Sequence, residues 1–356
     1  MAYGKITLSE RIAGVARHAK QLQNRGAVLI ICGLLTPLAL ICSPAFANGP
    51  YGNRFVGTSW SGFDSPLFGT LFTQVTPEYA GYWGFVEHRE DQFNWGPLDA
   101  MYKLAARKHL IVEQHNMIWG QHRWPSIMTP WVTKRNAASA VRNWFAAYAA
   151  RYRGKFQLID VVNEPLHNPP AYRVALPGGN TRWGWIIWAY RLARKDFPSA
   201  RLLINEYNIL NNPKTTRRYI RLIRLLEARH LIDGVGCQAH FLEHTKTSII
   251  RADLQRLNRL NLPIYISEFD LNWKSNKKQL QQMKTQFPIF WNDPHVAGIT
   301  FWDFKQGHTW LPHTYLVLHN GNQRPALVWL KKYLARNPTP RKPVDWLKAY
   351  LADHPR

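Results

Sequence analysis

The 356 residues carry 46 Lys and Arg against 22 Asp and Glu, a formal charge of +24, and 46% of them are hydrophobic. That apolar share fills a sizeable core, which excludes a disordered chain away from the ends, and the length suits one large α/β domain or two ordinary ones. The cation excess suits acidic or polyanionic surroundings and does not specify a fold.

Residues 1–26 hold Lys5, Arg11, Arg17, Lys20 and Arg25 against Glu10, and precede the apolar run AVLIICGLLTPLALICSPAFA, which ends in Ala45-Phe46-Ala47. This pattern predicts a secretory signal over residues 1–47, cut after Ala47, and therefore a secreted or periplasmic protein. An uncleaved anchor helix is the competing reading, because the run is close to spanning length. Pro37, Pro44 and the Ala-x-Ala ending favour cleavage, after which no stable membrane association is expected. A lipid anchor on Cys42 is disfavoured by Ile41, which stands where a small residue is needed. Cys32 and Cys42 fall in this segment, so the exported chain keeps Cys237 alone and forms no internal disulfide.

From residue 55 onward, short β-rich runs alternate with helical patterns, without a Gly/Ser linker. The expected strands are FVGTS (55–59), LFTQVTP (71–77), LIVEQHNMIW (110–119), FQLIDVVNEP (156–165), RLLINEYN (201–208), GVGCQAHF (234–241), IYISEFDL (264–271) and GITFWDF (298–304). Helical stretches such as PLDAMYKLAARK, RNAASAVRNWFAAYAARY, TRWGWIIWAYRLARKDF and QLQQMKTQFPIFW lie between most of them, and PALVWLKKYLARN follows the last. Such alternation implies parallel pairing, and eight units closing on themselves predict a single-domain (β/α)8 TIM barrel over residues 48–337. Residues 338–356 read as a Pro-rich spacer and a short amphipathic helix. The densest basic run, TTRRYIRLIRLLEAR, carries Ile220, Leu222, Ile223, Leu225 and Leu226 on one helical face, with Arg217, Arg218, Arg221 and Arg224 largely opposite. A solvated helix face explains it better than a nucleic-acid site, and no nucleic acid is expected as partner.

Nearly every expected strand starts apolar and ends polar or aromatic: Glu78 just past the second, His115 and Trp119 on the third, and Asn163 and Glu164 on the fourth. Asn205 and Glu206 end the fifth, Gln238 and His240 the sixth, Glu268 and Asp270 the seventh, and Trp302 the eighth. One such residue alone reads as a hydrogen-bonded core polar group, but seven strands ending alike point to the face on which barrels build their sites.

Two carboxylates at the ends of strands four and seven, which face one another across a barrel, suit glycosidic bond cleavage. One acid protonates the leaving oxygen while the other attacks the anomeric carbon, or activates a water if the two stand farther apart. Asp270 and His240 beside Glu268 would orient it and hold it ionised, which assigns Glu268 as nucleophile and Glu164 as acid and then base. Trp83, Trp119, Trp124, Trp302 and Trp310 lie at or just after strand ends, where flat faces stack on sugar rings. Most of the sixteen tryptophans are expected to be core, and Trp302 and Trp310 are the strongest candidates for substrate contact. No metalloprotease, Cys-x-x-Cys, nucleophilic-serine or phosphate-loop motif is present.

The blocks FTQVTPEYAGYWGFVE, HNMIWGQ, DVVNEPLHNPP, LLINEYN, GVGCQAHF, PIYISEFD, GITFWDFKQGHTW and RPALVWL, in that order, resemble glycoside hydrolase family 10, the endo-1,4-β-xylanases, over roughly residues 55–335. The resemblance implies a retaining double displacement on xylan with Glu164 as acid/base and Glu268 as nucleophile. It implies further that Asn163 holds the sugar 2-hydroxyl, that Gln238 and His240 flank the nucleophile, that His115, Trp119, Trp302 and Trp310 wall the glycone subsites, and that Glu78 contacts substrate. Asn205 and Asp270 support these groups; no metal or organic cofactor is expected, and the enzyme is expected to act as a monomer. The departures cluster in one place. Where the family usually reads Glu-Asn-x-x-Lys-Trp, this chain reads Glu78-Tyr79-Ala80-Gly81-Tyr82-Trp83, so an amide and an ammonium are replaced by two phenols. Loss of such contacts typically costs on the order of 1–3 kcal/mol of binding. Asp303 stands where glycine is common, and Trp124 alters the usual spacing in WGQHRWP. An endo-glycanase acting on a bacterial, possibly acidic, exopolysaccharide is the alternative of the same class, and a non-catalytic polysaccharide-binding barrel the alternative of another.

Overall fold

The structure, a computed structural model, describes residues 54–120, 129 and 131–337. The expected signal, Trp124 and the C-terminal tail lie outside the described residues.

Eight parallel strands pair into a closed barrel: β1 (Phe55–Trp60), β2 (Gln74–Pro77), β3 (Ile111–Gln114), β4 (Leu158–Asn163), β5 (Arg201–Glu206), β6 (Gly234–Ala239), β7 (Ile264–Phe269) and β8 (Val296–Phe301). Closure is made by β8 on β1, with Phe55 opposite Gly298 and Thr58 opposite Phe301. The crossovers carry α1 (Gly96–Lys108), α2 (Ala137–Tyr152), α3 (Gly184–Asp196), α4 (Pro213–Glu227), α5 (Thr247–Asn258) and α6 (Asn276–Trp291), and α7 (Pro325–Arg336) follows β8. All eight strands are buried along their whole length, which is why they read as near-continuous apolar runs rather than alternating ones. The β1–β2 connection, residues 61–73, has no helix and is packed by Phe63, Phe68 and Phe72.

The basic helix shows how local chemistry sets an element. The Asn212 side chain accepts from the Lys214 and Thr215 backbone N–H groups, and Pro213 takes the first helical position, so α4 begins there. Thr216, Tyr219, Leu222, Ile223 and Leu226 form its buried stripe, while Arg217, Arg221 and Arg224 are exposed and Arg218 is half-buried.

Inside the barrel, Phe55, Ile111, Leu158, Leu203, Tyr265 and Ala297 form an apolar plug at the strand starts. Gly298 is required there, since a Cβ would lie 2.1 Å from the Phe55 ring. Above the plug comes a polar layer that the alternation of residues did not reveal. Gln74 Nε2 donates to Glu113 Oε2 at 3.2 Å, and Asp160 Oδ2 meets His115 Nδ1 at 2.7 Å. Burial, then the charge of Asp160, holds the Glu113 carboxyl well above its ordinary range, so it is protonated beneath the site.

Several strands end earlier than their sequence pattern. The third runs only to Gln114, with a single further bridge from Ile118 to Val162. On β4, β5, β6 and β8 the reason is a change of backbone hand: Glu164 (φ 53°), Asn208 (φ 56°), Phe241 (φ 60°) and Asp303 (φ 70°) are left-handed, each within two residues of the strand's end. A strand with period two would point Asn163 and Glu164 to opposite faces; the left-handed turn at Glu164 brings both into one site.

Candidate active site

The ends of β4, β5, β6 and β7 meet in one hydrogen-bond network. Asn205 Nδ2 donates to Glu268 Oε1 at 2.7 Å and to Asn163 Oδ1 at 3.0 Å, and Ser267 Oγ locks the Asn205 carbonyl at 2.6 Å. Gln238 Nε2 lies 3.1 Å from Glu164 Oε1 and 3.2 Å from Asn163 Oδ1. The Asn163 oxygen is thus taken twice, while its amide N–H group has no partner among the described residues and is free for a ligand.

The two carboxyls are held in opposite states. Glu164, 7% exposed, receives Trp119 Nε1 at 2.9 Å on Oε2, and Asn168 Nδ2 donates to the same oxygen. Burial, then the charges of Glu206 and Glu268, raises its pKa from 4.5 to about 7. Glu268 is as deeply buried, and desolvation alone would raise it too. The hydrogen bond from His240 Nε2 at 2.8 Å and the positive field of His115 and His240 outweigh that and lower it. His240 itself is clamped, its Nδ1 2.7 Å from Asp270 Oδ2. Burial would lower its pKa, but the Asp270 and Glu268 carboxylates raise it to about 10, so it stays an imidazolium between two anions.

The aromatic wall is built on this base. Trp310 sits with its ring 4.6 Å from His240 and donates Nε1 to Asp270 Oδ2 at 3.1 Å. Trp302 is buried 5.1 Å from the His115 ring. Asp303 explains how the β8 loop is shaped: it accepts from Ser59 Oγ and from the Trp310 backbone N–H, each at 2.7 Å. A left-handed residue there suits glycine, and Asp303 combines that conformation with two anchoring bonds. Glu78 is buried at the end of β2 beside Tyr82. Tyr82 is also buried, edge-on to Trp119 at 5.1 Å and to Tyr79 at 5.8 Å, so the two phenols pack as an aromatic corner.

Of the candidate stacking residues, Trp83 is placed elsewhere. It stacks on Trp144 at 5.8 Å with a 6° interplanar angle and donates Nε1 to Glu87 Oε2 at 2.6 Å, making it core. The one-turn helix Trp83–Val86 turns it away from the strand end. Two neighbours of Glu164, His167 and Asn168, lie outside the expected site, and Glu206, expected only as a strand-end residue, packs with them. Asn168 lies one helical turn beyond Glu164; Glu206 accepts from the Leu166 and Tyr207 backbone N–H groups and meets His167 Nδ1 at 2.8 Å. The clustering of His167 and Asn168 just after Glu164 was the available signal.

A closed (β/α)8 barrel with one carboxyl held near neutrality and another held ionised at its strand ends defines a glycoside-cleaving enzyme. The chain belongs to glycosyl hydrolase family 10, whose profile it matches over residues 55–333. It is 35% identical over 282 residues to an endo-1,4-beta-xylanase B of Cellvibrio japonicus (strain Ueda107), covering 78% of this chain and 45% of that protein's length. An endo-1,4-beta-xylanase of Agaricus bisporus is 26% identical over 281 residues, covering 73% of this chain and 83% of that protein. The fold of this chain is similar to that of native xylanase 10B from Thermotoga maritima, with a TM-score of 0.68 at 23% identity over 80% of this chain and 96% of the other.

Proposed function

We propose that this chain is an exported, monomeric, single-domain retaining endo-1,4-β-xylanase. Glu268 attacks the anomeric carbon as Glu164 gives its proton to the leaving glycosidic oxygen, forming a covalent glycosyl-enzyme. Glu164, now ionised, takes a proton from water, which displaces Glu268 and regenerates both groups. The Asn163 amide N–H holds the sugar 2-hydroxyl, Gln238 fixes Glu164 relative to Asn163, and Asn205 and Asp270 hold Glu268 and His240 in place. His115, Trp119, Trp302 and Trp310, with Glu78 and the phenols of Tyr79 and Tyr82, form the wall for the glycone sugars.

The observation that carries this reading is the opposite protonation of the two carboxyls, which supplies a proton donor and an ionised nucleophile at the same pH. The names of the similar proteins support xylan as the substrate. Release of reducing ends from xylan in preference to β-glucan is the expected result; preference for β-glucan would refute it. Glu268→Gln is expected to abolish turnover of an activated aryl xyloside with the fold intact. Glu164→Ala should still form the glycosyl-enzyme from that substrate, with azide restoring release, and a lack of azide rescue would refute the acid/base role.

A further inference from the structure

A cavity of about 370 Å³ lies behind the loop that carries the acid/base carboxyl. Pro165 and Leu166, the two residues after Glu164, form part of its wall, and α4 closes it through Arg218. Three guanidinium groups line it, Arg173, Arg182 and Arg218, and no carboxylate does. None of the three is paired with an acid among the described residues. Arg173 Nη1 donates only to the Pro170 carbonyl at 3.2 Å, Arg182 lies 4.6 Å over the Trp183 ring, and the buried Arg218 Nε has no hydrogen-bond partner. Among the arginines of α4, Arg218 is the half-buried one, while Arg217, Arg221 and Arg224 face solvent.

Three unpaired cations around one concavity repel each other, and a buried guanidinium N–H without an acceptor is a standing penalty; an anion relieves both. Guanidinium forks match a planar carboxylate in bidentate fashion. Trp183 and Asn180 also line the cavity, the indole holding the Arg182 guanidinium over its ring and the amide adding a neutral polar group for sugar hydroxyls. The volume falls in the range of small-ligand sites, roughly 300–1,000 Å³.

We infer that this cavity is a subsite for a uronic acid residue carried by the polysaccharide, so that the preferred substrate is an acid-decorated xylan. The inference rests on the xylanase reading for its polymer and on the cavity alone for its carboxylate. Pro165 and Leu166 follow Glu164 directly and belong to the cavity wall, which is the link between the catalytic loop and the cavity.

The test compares glucuronic-acid-substituted xylan with the same polymer after its carboxyls are reduced to alcohols, using wild type, Arg182→Gln and Arg173→Gln/Arg218→Gln. Wild type should show a kcat/KM about tenfold higher on the acidic form, the scale of one charge-assisted contact. The double variant should lose that preference while keeping its rate on the reduced form, and the exposed Arg182→Gln should weaken it without any risk to folding. Equal rates for wild type on both polymers, or an unchanged preference in the double variant, would overturn the assignment. Calorimetric titration with methyl glucuronide and with inorganic phosphate reads the cavity apart from turnover. Glucuronide binding that disappears in the double variant supports the subsite even if xylan is not cut, which would sink only the xylanase reading. Phosphate binding as tight as glucuronide, or no glucuronide binding, would sink the uronic acid subsite.

Discussion

Glu164→Gln should make the protein more stable, and by an amount that depends on pH. In the folded chain the Glu164 carboxyl titrates near 7 against an ordinary 4.5, because burial and the charges of Glu206 and Glu268 oppose its ionisation. Between those two values the folded state holds a proton that the unfolded chain has released, so wild-type stability falls as pH rises through this window. The penalty is small below 4.5 and fully developed above about 7, where it reaches about 3 kcal/mol at roughly 1.4 kcal/mol per pH unit. Glutamine removes the ionisation. It retains an oxygen for the Trp119 and Asn168 donors, while its amide faces the Gln238 amide donor, a mismatch of about 1 kcal/mol that is the same at every pH and leaves the pH-dependent difference intact. Urea unfolding of both proteins at about pH 5 and about pH 8 should show the variant gaining roughly 2–3 kcal/mol more at the higher pH. A gain equal at both pH values, or a loss growing with pH, would refute the assignment of a desolvated acid to Glu164.

The same titration limits activity: kcat/KM on xylo-oligosaccharides, whose leaving sugar needs a proton, should fall above about pH 7 as Glu164 ionises, with the acid limb below the ordinary 4.5 of a carboxylate because Glu268 is lowered. Glu206→Gln removes the largest charge acting on Glu164 and should move the alkaline limb to lower pH, read in the same profile. Asp270→Asn weakens the imidazolium at His240, so Glu268 loses part of its support and the acid limb should move up. Asp303→Gly removes the carboxylate that accepts from the Trp310 N–H and Ser59 Oγ, and should raise KM for xylo-oligosaccharides more than it lowers kcat, with a stability loss on the order of 1 kcal/mol by thermal unfolding.

The barrel was legible because most strands begin as apolar, β-branched runs and most crossovers carry a helical pattern, information that is local along the chain. The positions of Glu164 and Glu268 at opposite strand ends follow from the same register. What stayed hidden depends on contacts distant in sequence or on backbone hand. Trp83 resembles a sugar-stacking residue until Trp144, 61 residues away, is seen to take its face. Nothing in the run LIVEQHNMIW marks out Glu113, yet the barrel interior places it beside Asp160 and Gln74. Arg218 belongs to a periodic basic face, and only the packing of the β4–α3 loop turns it inward.

The left-handed backbone at Glu164 has an evolutionary consequence. A non-glycine residue in that conformation costs roughly 1–2 kcal/mol, and the desolvated carboxyl adds its own penalty at the same position. Asparagine or glycine at 164 would relieve both, leaving Asn163, Asn205 and the aromatic wall able to hold a sugar. Drift from a cutting enzyme to a sugar-holding barrel is therefore downhill in stability at this residue. A lineage no longer selected for turnover would be expected to lose Glu164 before any other member of the network.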